Sequence, residues 1–247
     1  MNNKTLQLSR RAALLRLFLS LVVIAMAACV SRADITQPIR VACVGDSITY
    51  GAGLKNRDAE SYPYWLGRWM GPGYDVHNFG RSGATLLRAG DLPYVNQPQH
   101  DEALAFSPDI VIIMLGTNDS KHHGGGLPPN DNVATNWLHK ADFVSDYEAL
   151  IAEFRAINPK AKIYVCCPPP CFPGRWGIDD NTIHHEVNPL VRKVARSSHA
   201  KLIDMYKPFI GKKDLFPDTV HPNAAGAKMM AAEVYHALTG KKAPENQ

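Results

Sequence analysis

The sequence predicts a single α/β domain built on a mainly parallel β-sheet with helices on both faces. Three observations point there. Short β-rich runs alternate with helical patterns along most of the chain, as strand–helix–strand crossovers require. The run Asp109–Leu115 (DIVIIML) is continuously apolar, as expected of a strand covered on both faces. The length, 247 residues, is enough for one sizeable core and short of a convincing pair of domains.

Taken in order, Arg40–Val44 (RVACV) is an apolar strand ending at a Gly, and Tyr74–Phe79 is a shorter, more polar one. Asp109–Leu115, Lys162–Cys167 and Lys201–Asp204 complete a set of five. Between them lie helical patterns. Tyr62–Met70 is the first. Asp142–Asn158 is the clearest, with Phe143, Tyr147, Leu150, Ile151 and Phe154 at helical spacing and Pro159 as its stop. Two more run over Thr182–Ser198 and Ala224–Leu238. Open parallel sheets bind ligands at the carboxyl ends of their strands. Two long loops follow strands there, Asp119–Lys140 and Pro168–Gly177, and long loops on compact α/β domains are often functional. The chain shows no repeat, no low-complexity tract and no interdomain linker.

The first 33 residues read as an export signal rather than as fold. Lys4, Arg10 and Arg11 form a basic start, and Leu17–Ala28 is an apolar run too short and too early for a membrane span. Ser31-Arg32-Ala33 supplies small residues at a cleavage position, which leaves residues 34–247 as the folded domain in the periplasm or outside the cell. Two variants compete with plain secretion. Ala27-Ala28-Cys29 loosely resembles a lipobox and would make Cys29 a lipid anchor, and Ser9-Arg10-Arg11 loosely resembles a twin-arginine signal. Removing this segment changes the charge argument. The whole chain is formally +4, but residues 1–33 hold five basic residues and no acid. The remainder has 22 basic against 23 acidic residues, so charge gives no reason to expect a nucleic acid partner.

The cysteines read as structural. Cys43 lies in an apolar strand and reads as a small buried hydrophobe. Cys166, Cys167 and Cys171 surround a proline run; a pair of them can close a small loop under oxidising conditions, and their spacing has no second half to make a zinc site.

Gly45-Asp46-Ser47 follows the first strand directly. A Ser at such a strand-to-helix turn holds its hydroxyl at the sheet's carboxyl edge, but a neutral hydroxyl needs a base to act as a nucleophile. The Gly-x-Ser-x-Gly elbow of ordinary α/β-hydrolases is absent, and alone the triplet reads equally as a helix N-cap. Asp218-Thr219-Val220-His221 precedes the last helix. Imidazole can take and return a proton near neutral pH, and a carboxylate close by can fix its tautomer. The bland alternative is a capping Asp beside an incidental surface His. Gly83, after the second strand, and Asn118, after the third, offer a backbone and an amide N–H for a developing oxyanion, or simply form turns.

Together these blocks resemble one family, the SGNH (GDSL-type) hydrolases. That family is named for a Ser in Gly-Asp-Ser, a Gly, an Asn in Gly-x-Asn-Asp and a His in a late Asp-x-x-His. Gly45-Asp46-Ser47, Gly83, Gly116-Thr117-Asn118-Asp119 and Asp218-Thr219-Val220-His221 match in order and span nearly the whole chain after residue 33. The resemblance implies a flavodoxin-like α/β/α sandwich with five parallel strands and no cofactor. It implies Ser47 as nucleophile, His221 as general base then acid, and Asp218 as the group orienting His221. Ser47, Gly83 and Asn118 become the oxyanion hole. Ile48-Thr49 departs from the usual Leu-Ser beside the nucleophile.

Other conspicuous residues carry weaker readings. His122-His123 and His184-His185-Glu186 have the look of ligand clusters, but loop and helix-surface histidines are usually solvated, and no metal is expected. Trp137 and Trp176 either stack on a sugar or anchor their loops. Arg81 either meets a substrate carboxylate or forms a structural ion pair. The chain resembles secreted bacterial carbohydrate acetylesterases of this family, including sialate O-acetylesterases, which implies short acyl, chiefly acetyl, esters on glycans. No long apolar stretch offers a lid for long acyl chains. The rival readings are a lysophospholipase or thioesterase with the same catalytic set, and a non-catalytic carbohydrate-binding module on the same fold.

Overall fold

A computed structural model describes residues 37–122, 135–173 and 175–244, and the fold is that of the unit Pro38–Gln247. The proposed signal, with Cys29, and the segment His123–Gly126 with Pro128-Pro129 lie outside the described residues.

Five strands form one all-parallel sheet: β1 (Ile39–Gly45), β2 (Tyr74–Gly80), β3 (Ile110–Met114), β4 (Lys162–Cys167) and β5 (Lys201–Asp204). Their order is β2-β1-β3-β4-β5. The strand pleat sends alternate side chains to opposite faces. Ala42, Val44, Val111, Ile113, Val165 and Cys167 therefore join one core, and Val41, Cys43, Ile110, Ile112, Tyr164 and Cys166 join the other. This is why β1 and β3 read as unbroken apolar runs.

Helices α2 (Pro98–Ala105), α3 (Phe143–Ile157) and α4 (Asn188–Ser197) cover the first face. Helices α1 (Tyr62–Met70) and α5 (Ala224–Thr239) cover the second. On α3 the five predicted apolar positions are all buried. The helix ends before Asn158, because Pro159 disfavours a helical residue in front of it. On α5 the Asn223 side chain accepts the Gly226 N–H at 2.9 Å, and Gly240, at φ 72°, closes the other end. Helix α2 escaped the sequence reading. It is short and polar, it buries only His100 and Ala103, and its one legible signal is Pro98 at its start.

The helix expected over Thr182–Ser198 is not continuous. A short helical turn, Asp180–Thr182, leads into a wide π-turn over Ile183–Val187 before α4 begins. Pro189 accounts for this: it has no N–H to offer the His185 carbonyl, and its ring would crowd that carbonyl in a regular α-turn. All four described cysteines are buried free thiols, and the neighbours Cys166 and Cys167 point to opposite faces of the sheet.

The strand order reverses direction between β1 and β3. That crevice, at the carboxyl ends, is where open sheets of this kind bind ligands. The turns after β1 and β3 both open into it.

Candidate active site

Gly45 ends β1 where the chain must pass very close to its neighbours. A Cβ there would meet the Thr49 hydroxyl at 2.1 Å and the Met114 carbonyl at 2.6 Å, so only glycine fits. Asp46 then caps the single helical turn Ser47–Tyr50, its Oδ1 accepting the Ile48 N–H at 2.9 Å. The capping role weighed for this triplet thus belongs to Asp46, not to Ser47. Ser47 is the first residue of the turn, and its N–H has no partner among the described residues. Burial raises the Asp46 pKa to about 6; its Oδ2 and the buried Thr117 hydroxyl both lack a hydrogen bond of ordinary geometry. Ile48 is buried in the core and Thr49 contacts the Tyr62 hydroxyl at 3.3 Å, so the departure from Leu-Ser is absorbed by packing away from the crevice.

Asp218 and His221 approach from the loop before α5. His221 Nδ1 lies 2.7 Å from Asp218 Oδ2, and His221 Nε2 lies 2.8 Å from Ser47 Oγ. Asp218 Oδ1 also accepts the N–H groups of Val220 and His221 at 3.0 and 2.7 Å. Burial would raise the Asp218 pKa, but these hydrogen bonds from the His221 backbone, its ring and Val220 outweigh it and hold the carboxyl below its usual range. An ionised Asp218 fixes the proton on Nδ1 and leaves Nε2 to accept the Ser47 hydroxyl proton. The turn that brings the pair together is strained: Thr219 has φ 77°, rare for a β-branched residue. Two backbone bonds pin it, from Thr219 N–H to the Phe216 carbonyl and from Phe172 N–H to the Thr219 carbonyl. Asp218 does not cap α5; Asn223 does.

Gly83 and Asn118 line the same cleft as Ser47 and His221, together with Ser82, Lys121, Trp176 and Ile178; its volume is about 240 Å³. Gly83 has φ 83°, a conformation that glycine adopts freely, and its N–H has no partner among the described residues. Asn118 Nδ2 donates one hydrogen to the Ala84 carbonyl at 3.1 Å, leaving the second for the cleft. Asp119, the last residue of the Gly-x-Asn-Asp block, points into the protein. Its carboxylate accepts the Leu86 and Leu87 N–H groups at 3.0 and 2.7 Å. Asn118 and Asp119 therefore grip the Gly83 loop at three points. Asp119 is fully buried, and that burial raises its pKa to about 7.

The two tryptophans divide between the two readings. Trp137 is an anchor: it is buried against Phe143 and its Nε1 donates to Glu186 at 2.9 Å. Trp176 is 45 % exposed, its ring centroid is 5.5 Å from that of His221, and the Arg175 guanidinium lies 4.8 Å from the ring. Arg81 forms no ion pair among the described residues; it donates to the Gln97 side chain and to the Ser82 carbonyl. Among the described residues no group of three or more His, Cys, Asp or Glu is placed to hold a metal ion, and no helix is long and apolar enough to cross a membrane. His122 contacts Asp179 and Thr182, while His184 and His185 stack on each other away from the cleft.

The arrangement joins a carboxylate, an imidazole and a hydroxyl in one chain of contacts, with N–H donors beside the hydroxyl. A 37 % identical stretch of 218 residues, 81 % of this chain, is shared with an acetylxylan esterase of Xylanibacter ruminicola and covers 43 % of that protein. A multidomain esterase of Ruminococcus flavefaciens is 27 % identical over 227 residues, 78 % of this chain and 27 % of that protein. The chain thus spans less than half the length of these curated relatives. Among solved structures, a lipase/acylhydrolase from Enterococcus faecalis superposes with a TM-score of 0.64 at 23 % identity, over 85 % of this chain and 100 % of that one. An acetylxylan esterase from Geobacillus stearothermophilus also gives 0.64, at 19 % identity, over 84 % and 97 %. These two likenesses establish the fold. The profile of the GDSL-like lipase/acylhydrolase family matches residues 43–229, and the chain belongs to that family.

Proposed function

We propose that this protein is a serine esterase that removes acetyl groups from carbohydrates. The observation that carries the reading is the unbroken Asp218–His221–Ser47 chain of contacts, 2.7 and 2.8 Å long, opening into a cleft that Gly83 and Asn118 share. Ser47 Oγ attacks the ester carbonyl carbon as its proton passes to His221 Nε2. The carbonyl electrons move onto oxygen, which the N–H groups of Ser47, Gly83 and Asn118 receive. Collapse breaks the bond to the sugar oxygen, which takes the proton from His221 and leaves as a hydroxyl, with the acetyl group on Ser47. Water, deprotonated by His221, then releases acetate and restores the serine.

A cleft of about 240 Å³ is smaller than ordinary drug-sized ligand pockets of roughly 300–1,000 Å³ and favours a short acyl group. The exposed face of Trp176 beside His221 supplies an apolar platform for the sugar ring that bears it. The acetylxylan esterase among the relatives supports the same substrate class. The test is acetate release from a panel of acetylated xylans and sialic acids, beside aryl esters of increasing acyl length. Acetyl esters should be cleaved and long-chain esters spared; the reverse profile overturns the reading in favour of a lysophospholipase or thioesterase.

We also infer that residues 1–33 direct export and are removed, from their basic start and apolar run. Mass spectrometry of the mature chain should find a free amine on Asp34; a lipid-modified Cys29 would replace secretion with anchoring.

A further inference from the structure

A second cavity, larger than the serine cleft, opens along the carboxyl edge of the sheet. A pocket of about 560 Å³ lies at the end of β5, lined by His184, Asn188, Arg192, Tyr206 and Lys207 among others. From β1, where Ser47 stands, to β5 is three strand spacings, ~14 Å across the sheet. The two openings share a wall. Ile178 lines the serine cleft and Tyr206 lines the pocket, and both belong to one small apolar cluster with Cys171, Ile183 and Val220.

Its lining has three separate chemistries. The π-turn before α4 presents His184, whose ring centroid lies 4.5 Å from that of Tyr206, so aromatic faces form one side. Asn188 is 2 % exposed, and its Oδ1 has no hydrogen-bond partner. A buried acceptor of this kind costs stability unless a donor reaches it, and a ligand hydroxyl is such a donor. The third chemistry is positive charge. Arg192 spends one nitrogen on Asp204 at 2.8 Å; its other donors, and the Lys207 ammonium, have no partner among the described residues. Asp204 is already occupied by Arg192 and by the Tyr206 and Lys207 N–H groups, so the carboxylate does not cancel Lys207.

Aromatic faces, a hydroxyl acceptor and unpaired cations together match one ligand class. We propose that this pocket is a second subsite for the glycan chain, taking a sugar that carries a carboxylate, while the acetylated sugar occupies the serine cleft. The inference rests on the carbohydrate-esterase reading and adds to it the charge of the polymer. The carboxylate meets Lys207 and the free side of Arg192, and a ring hydroxyl donates to Asn188 Oδ1. Such a subsite lowers KM for acidic acetylated glycans and leaves the chemistry at Ser47 untouched.

The test is calorimetric titration of the full chain with unacetylated oligogalacturonate, with a neutral oligosaccharide of equal length, and with monomeric galacturonate. Lys207→Glu reverses an exposed charge and should leave the fold intact; Arg192→Lys keeps the ion pair's charge and removes the planar fork. The acidic oligomer should bind at least tenfold more tightly than the neutral one, and Lys207→Glu should weaken it by at least tenfold. Arg192→Lys should weaken it less. Turnover of an aryl acetate, which cannot reach the pocket, should be unchanged in both variants. Equal binding of acidic and neutral oligomers, unchanged binding in Lys207→Glu, or no binding of the acidic oligomer overturns the proposal. Binding of the monomer as tightly as the oligomer overturns the chain-subsite reading in favour of a site for a free sugar acid. Loss of aryl acetate turnover in the parent protein would instead overturn the esterase reading, so the two failures are distinguishable.

Discussion

Asp218 and Asp119 serve the same cleft from opposite ends, and their surroundings push them in opposite directions. Asp218 is partly exposed, accepts the His221 ring and two backbone N–H groups, and is held below the usual carboxylate range. Asp119 is fully buried, accepts the Leu86 and Leu87 N–H groups, and is raised to about 7. The first is held charged by the imidazole ring and backbone N–H groups that face it. The second ties down the loop that follows Gly83, where its charge is a cost of burial. A carboxylate's place in a site is therefore decided by how many donors face it against how much water it has lost.

Substitutions can break this contrast, beginning with the acid–base end. Ser47→Ala should abolish aryl acetate hydrolysis, since no other hydroxyl stands 2.8 Å from His221 Nε2 among the described residues. Asp218→Asn should lower kcat by about 10³–10⁴-fold, because an amide N–H can face the ring and select the wrong imidazole tautomer. At the other end, Asn118→Ala should cost about 10²–10³-fold in kcat, the usual effect of losing one oxyanion donor. Asp119→Asn should cost less, roughly tenfold, with KM for aryl acetate unchanged: the amide keeps one acceptor for the Leu86 and Leu87 N–H groups and loses the other. A loss in Asp119→Asn as large as that in Asp218→Asn would end the distinction between orienting the base and holding the loop.

The smallest effect is the most specific. Asp119, raised by burial, binds a proton in the folded state more readily than in the unfolded one. Its contribution to stability is full below the ordinary carboxylate value near 3.8 and is lost as pH rises through about 7. Asp46, raised to about 6, adds to the same slope. Asp218, lowered, contributes above the ordinary value and loses that contribution as pH falls through its folded one. Urea midpoints between pH 5 and 8 should therefore fall less steeply with pH in Asp119→Asn than in the parent, and Asp218→Asn should leave that slope unchanged.

The regular elements were legible because they depend on local pattern. All five strands and the helices Tyr62–Met70, Phe143–Ile157 and Ala224–Thr239 lie within one or two residues of where apolar spacing, Pro159 and the turn residues place them. The four blocks of the site were equally legible, since each sits at a strand end or just before a helix. Helix α2 was not, having little apolar periodicity to read, and the π-turn at Ile183–Val187 follows from a Pro189 that looked compatible with a plain helix.

By itself, the sequence determined the α/β class, the strand boundaries and the residue types that meet at the crevice, because burial on both sheet faces and turn chemistry act over a few residues at a time. Only the tertiary structure decided which of two plausible roles each residue takes. It made Trp137 an anchor and set Trp176 beside His221, it gave capping to Asp46 and Asn223, and it turned Asp119 into a clamp on a loop more than thirty positions away. Those outcomes depend on which groups face one another across the sheet and how much water is excluded between them, and no spacing along the chain encodes either.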